Sequence, residues 1–130
     1  MTIDLWILAA SAGLQWALIM IAALPNILKK GMGWATGPRD TDVAVEMPAW
    51  HGRIVRASAN MQENLLIFAI LVLVVHVAGK ASATSALGAE IFIGARVLHP
   101  ILYAAGVSWL RTGVWFVGVV GMGIVAYALI

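Results

Sequence analysis

Arg53-Ile54-Val55-Arg56-Ala57-Ser58-Ala59-Asn60-Met61-Gln62-Glu63-Asn64 runs without a break into residues 65–75, which are apolar throughout. On a helix, Arg53, Arg56, Asn60, Glu63 and Asn64 fall at i, i+3, i+7, i+10 and i+11, one stripe along one face. The apolar run is too short to cross a bilayer alone, so the span must include the turns that carry the stripe. This puts Asn60, Glu63 and Asn64 at membrane depth, with Arg53 and Arg56 nearer the interface. A charged group there costs from roughly 3 to more than 10 kcal/mol and is tolerated when it pairs or lines a cavity. The stripe is therefore the first candidate site, and the rest of the chain reads as its shelter.

The composition agrees with that reading. Of 130 residues, 62% are hydrophobic and 11% charged, and the mean hydropathy is +0.96. Soluble domains carry about 25% charged residues. The sequence thus predicts an all-α integral membrane four-helix bundle, a single transmembrane domain over residues 1–130. There is no cysteine, which excludes disulfides and thiolate catalysis by the chain itself. The eight basic residues against six acidic ones are scattered and form no patch for nucleic acid. Three dispersed histidines give no metal-ligand spacing, and no nucleotide-binding glycine pattern occurs.

The hydropathy pattern predicts spans at about 5–28, 50–78, 86–105 and 113–130. The first lacks the basic n-region of a signal peptide and is too long for an h-region. Pro25 is expected to bend its last turn. Between the first two spans lies the one long polar connection, 31–48, with a turn expected at Gly37-Pro38-Arg39-Asp40. The third span carries Arg96, His99 and Tyr103 at i, i+3 and i+7, a second one-sided polar stripe. Gly94 in that span, and Gly113, Gly118, Gly121 and Gly123 in the fourth, are expected to pack closely against other helices. Residues 106–112 read as the last loop and hold Arg111.

Four spans place both termini on one side. Lys29, Lys30, Arg39, Arg53, Arg56 and Arg111 flank the 1–2 and 3–4 connections, and Lys80 alone flanks the other. The excess of positive charge then puts those connections in the cytoplasm and the termini outside. Both polar stripes fall in the cytoplasmic half and can face each other. Arg53, Arg56, Arg96 and Arg111 there outnumber Glu63, so the cavity suits an anion. Tyr103 and Arg111 are suited to stabilising a thiolate or a developing negative charge. Arg–Glu and Asn–Asn pairs also hold membrane helices together with no ligand at all.

At these residues the sequence resembles the superfamily of membrane-associated proteins in eicosanoid and glutathione metabolism. The second-helix signature, Arg-Ala-His-x-Asn-x-x-Glu-Asn, stands here as Arg56-Ala57-Ser58-Ala59-Asn60-Met61-Gln62-Glu63-Asn64, with Ser58 in place of the histidine. The third-helix signature stands as Gly94-Ala95-Arg96-Val97-Leu98-His99-Pro100-Ile101-Leu102-Tyr103. The resemblance implies a homotrimer of four-helix protomers with glutathione as co-substrate between neighbours. By position, Arg56, Asn60, Glu63, Arg96, His99 and Tyr103 would hold the tripeptide, with Arg53 and Asn64 beside them on the stripe. Lys29 would reach in from the adjacent subunit. Arg111 matches the arginine that stabilises the thiolate, Thr112 follows where some members carry a serine, and Asp40 aligns with a loop aspartate proposed to act in catalysis.

The function so implied is a membrane-bound, glutathione-dependent transferase or peroxidase, microsomal glutathione transferase-like. It would act on lipophilic small molecules or lipid hydroperoxides in, for this short form, a bacterial inner membrane. The alternative is a non-catalytic lipid-binding scaffold of the same fold, which would have no need of the polar set. A transporter is disfavoured, because four helices show no inverted pair of broken spans.

Overall fold

The structure is a computed structural model that describes residues 1–41 and 43–130; Asp42, in the long connection, lies outside them. The described residues form helices α1 (Ile3–Lys30), α2 (Met32–Thr36), α3 (Ala49–Val77), α4 (Ala83–Ala105) and α5 (Ser108–Tyr127). The four long helices are each apolar and long enough to cross a membrane.

Helix ends differ from the hydropathy reading in ways that matter for the site. α4 starts three residues before the expected 86, because Ser82 and Ser85 form a capping box: the Ser85 N–H donates to Ser82 Oγ, and the Ser82 N–H to Ser85 Oγ at 3.0 Å. α5 starts at Ser108, not 113, so the expected 106–112 loop contracts to Gly106 and Val107. Gly106 sits at φ +79°, the left-handed C-cap that ends α4 within one residue, and its N–H bonds the Leu102 and Tyr103 carbonyls. Arg111 consequently closes the first turn of α5, and Thr112 follows it. The sequence reading missed α2, which is a single short turn of helix after Gly31. At the expected 37–40 turn the chain bends at Gly37, and Arg39 adopts φ +61°, in the left-handed region.

Packing centres on α4. Half of its apolar window is buried, against 17% of that of α1. Phe92 of α4 stacks on Phe68 of α3 with centroids 3.9 Å apart and planes 11° from parallel. Leu18, Met61, Val72, Val75, Ala89, Met122 and Val125 complete the core cluster. Between membrane helices there is no hydrophobic gain over lipid, so close van der Waals contact decides association. Gly88 and Gly121 provide it: a Cβ on Gly88 would stand 2.7 Å from the Gly121 carbonyl oxygen, and one on Gly121 2.7 Å from that of Gly88. Gly118 packs on Arg96, but Gly94, Gly113 and Gly123 have nothing within 4 Å, so the close contact expected of them does not occur within the chain. Spacing alone could not distinguish the α4-facing side of α5 from its outer side.

Polar ties fasten α1 to this hairpin. Ser85 Oγ donates to Asp4 Oδ2 at 2.6 Å, which places a buried carboxylate where α1 and α4 both begin, near the positive ends of two helix dipoles. Gln15 Nε2 reaches Ser58 Oγ of α3 at 3.4 Å. Near the other end, His51 Nε2 donates to the Ala22 carbonyl at 2.8 Å, one turn before Pro25, through which α1 continues.

Two outcomes follow for the purified protein in detergent. Gly121→Val should lower stability by at least the roughly 1–3 kcal/mol typical of overpacking, read as a fall in thermal midpoint, while Gly123→Val should stay near wild type. Asp4→Ala should cost about 1–3 kcal/mol, and Asp4→Asn less because it keeps an acceptor for Ser85.

Candidate functional site

α3 enters, α4 leaves and α5 begins at the same end of the bundle, and there Asn60, His99, Tyr103, Arg111, Thr112 and Trp115 line an open cleft of about 230 Å³. The short Gly106-Val107 link makes this possible, since it brings the first turn of α5 beside the last turns of α4. The guanidinium carbon of Arg111 lies 4.4 Å from the centroid of the Tyr103 ring, and that of Arg56 lies 5.8 Å from it. The His99 ring meets Tyr103 edge-on, 5.5 Å away. The Thr112 hydroxyl donates to the Ser108 carbonyl at 3.0 Å, which leaves its lone pairs as acceptors.

Arg96 lies behind this wall and not in it. It is 1% exposed, its Nη1 donates to Asn60 Oδ1 at 2.9 Å, and its Nε and Nη2 have no partner. Its guanidinium carbon lies over the Phe92 ring, 5.3 Å from the centroid. A Cβ on Gly118 would come within 3.2 Å of Nε and Nη2, so the absence of a side chain there makes room for the cation. Asn64 Nδ2 donates to the Asn60 carbonyl at 2.8 Å and lies 3.5 Å from Asn60 Oδ1.

The stripe on α3 does not act as one unit, and helix geometry gives the reason. With Asn60 at zero, Arg53, Asn64, Arg56 and Glu63 fall at about +20°, +40°, −40° and −60°. The buried arc runs from Asn64 through Ala57, Phe68 and Met61 to Ser58, about +40° to +160°. Asn60 and Asn64 therefore turn toward α4, while Arg56 and Glu63 sit on the uncovered flank and are exposed. Glu63 lines a separate outer groove of about 640 Å³ with Ala59, Gln62 and Leu66. Arg53 is engaged elsewhere: its Nη1 donates to the Ala104 carbonyl at 3.1 Å, one of the unsatisfied acceptors at the end of α4, and a Cβ on Gly106 would meet it at 2.9 Å.

Two further residues lie apart from the cleft within one chain. Lys29 Nζ donates to the Glu46 carbonyl and lines a groove of about 500 Å³ with Pro25, Met47 and Trp50. Asp40 lies in the exposed connection, in a hollow beside Trp34 and Arg39. There the Trp34 ring is approached by Lys30 at 4.4 Å and Arg39 at 4.8 Å. Trp115, which is absent from the residues expected from the sequence, also lines the cleft. Its position at i+4 from Arg111 was the available signal, since it puts both on one face of α5.

Chemically, the cleft offers guanidinium donors, a phenol and an amide, bounded by aromatic surface. None of Arg56, Arg96 and Arg111 forms an ion pair with a carboxylate among the described residues. The MAPEG family profile matches residues 6–130. No curated protein and no solved structure gave a match. With four apolar spans and a match over essentially its whole length, the chain belongs to the MAPEG family, the membrane proteins of glutathione and eicosanoid metabolism.

Proposed function

We propose that the protein is a glutathione-dependent transferase or peroxidase that works as a homotrimer on lipophilic electrophiles delivered from the bilayer. The observation that carries this reading is that Arg56 and Arg111 both approach the Tyr103 ring, with Arg96 behind Asn60, and that none of the three is paired with a carboxylate among the described residues. Uncompensated cations at membrane depth are costly, and an anionic ligand would offset that cost. Glutathione supplies two carboxylates for arginine forks and a thiol for the chemistry.

Arg111 is suited to hold the sulfur. Its charge and the N–H groups of the first turn of α5 both favour a thiolate over a thiol. Tyr103, with Arg111 over its ring, is placed to donate a hydrogen bond to the same anion. The thiolate lone pair then forms the S–C bond, and the leaving group departs with the electron pair from the carbon attacked. Trp115 would form the apolar wall for the second substrate.

The cleft volume supports assembly. About 230 Å³ lies below the roughly 300–1,000 Å³ of ligand pockets, so one chain supplies part of a site. A neighbouring copy against the flank of α3 would cover Glu63 and Arg56, which are exposed in the single chain. It could also bring in a Lys29 from its own α1. The basic excess at this end of the bundle favours a cytoplasmic orientation for it, with both termini outside. A lipid-binding scaffold is the second reading, favoured by the two outer grooves of about 500 and 640 Å³ being larger than the cleft.

Calorimetric titration of detergent-purified protein with glutathione should give saturable binding. Arg111→Ala should then lower turnover of a chromogenic aryl electrophile by about 10²–10³-fold, the usual cost of losing one stabilising donor. No binding by a protein that melts cooperatively would leave the scaffold reading, and undiminished turnover in Arg111→Ala would remove that residue from the chemistry.

A further inference from the structure

Anything entering the cleft meets Asn60, His99, Tyr103 and Arg111, but not Arg96, whose side chain is sealed behind them. The contact between Arg96 and Asn60 nevertheless has a consequence at the surface. An arginine side chain only donates hydrogen bonds. The Asn60 atom that lies 2.9 Å from Arg96 Nη1 must then be the amide oxygen and not the nitrogen. Asn64 Nδ2, also a donor, lies 3.5 Å from that oxygen and reinforces the assignment. With Oδ1 engaged from behind, Asn60 Nδ2 has no hydrogen-bond partner among the described residues and is not buried.

We infer that Arg96 is a positioning residue that locks the Asn60 carboxamide with its NH2 group toward the cleft, so that Asn60 recognises an acceptor oxygen of the ligand. The inference rests on the cleft being the thiol-peptide site proposed above. The acceptor it suits is a carboxylate or peptide carbonyl oxygen. An unrestrained asparagine can present either its oxygen or its nitrogen and would accept a donor equally well; the guanidinium removes that choice. Gly118 belongs to the same device, because a side chain there would displace Nε and Nη2 and with them the lock. A purely structural cross-link between α3 and α4 would need the same 2.9 Å contact but would leave ligand affinity indifferent to which group faces outward.

Asn60→Asp separates the two roles. It keeps an oxygen against Arg96 and gives that buried cation a counter-charge, but replaces the outward NH2 with an oxygen that cannot donate. Thermal melting and glutathione titration would be run on wild type, Asn60→Asp, Gly118→Ala and the control Gly123→Ala. The expected result is a melting temperature at or above wild type for Asn60→Asp, with glutathione affinity at least tenfold weaker. Gly118→Ala should weaken affinity several-fold, and Gly123→Ala should bind as wild type does. Wild-type affinity in Asn60→Asp would overturn the inference. So would a melting temperature well below wild type, since the oxygen would then not face the guanidinium. Absence of glutathione binding by wild type would instead defeat the proposed function, and the melting comparison would still decide the amide orientation.

Discussion

A guanidinium buried at membrane depth sets the terms for the rest of this structure. Arg96 has no counter-ion among the described residues and one hydrogen-bond partner, the Asn60 amide oxygen. Holding it there requires space on α5, which Gly118 leaves open, and an aromatic face, which Phe92 provides. Phe92 stands one turn before Arg96 on α4 itself, whereas the space depends on α4 and α5 running closely side by side. That approach is possible because Gly88 and Gly121 meet backbone to backbone further along the same interface. The glycines of α5 that matter, Gly118 and Gly121, therefore do different work three residues apart: one accommodates a cation, the other brings two helices together.

The tight connection at Gly106 links this packing to the chemistry. A left-handed glycine and one further residue reverse the chain, so the end of α4 and the start of α5 are neighbours. Arg53 from α3 caps the Ala104 carbonyl at that corner, which stabilises the reversal that leaves Arg111 in a first helical turn. A cation in the first turn opposes the helix dipole. The local conflict is the kind that a bound anion resolves, and Arg111 faces the cleft.

The opposite end of the bundle has no comparable set of charges. There the Ser85 hydroxyl ties α1 to α4 through one short hydrogen bond to Asp4, and Lys80 donates to the Leu129 carbonyl. The bundle thus has one end fastened by local polar ties and another where arginines converge on an open cleft. Much of the outer surface, Trp6, Trp16, Leu66 and Phe116 included, is more than half exposed, as suits a chain whose surroundings are lipid and other protein.

Composition and period alone determined that the chain is a four-span membrane bundle, because twenty-odd apolar residues have few other places to go. They also determined that Asn60, Arg96, His99 and Tyr103 would stand on the facing sides of two helices, since antiparallel spans with one-sided stripes leave little choice of register. What periodicity could not resolve was the division of a stripe about 100° wide. Arg56 and Glu63 fall on one edge of it and Asn64 on the other, and only the path of α4 and α5 decides which edge is covered. The same holds for Arg111 and Trp115, whose helix starts earlier than hydropathy suggests because Gly106 ends α4 abruptly. It holds for Asp4 and Gln15 as well, whose partners Ser85 and Ser58 are distant in sequence and adjacent only in the fold.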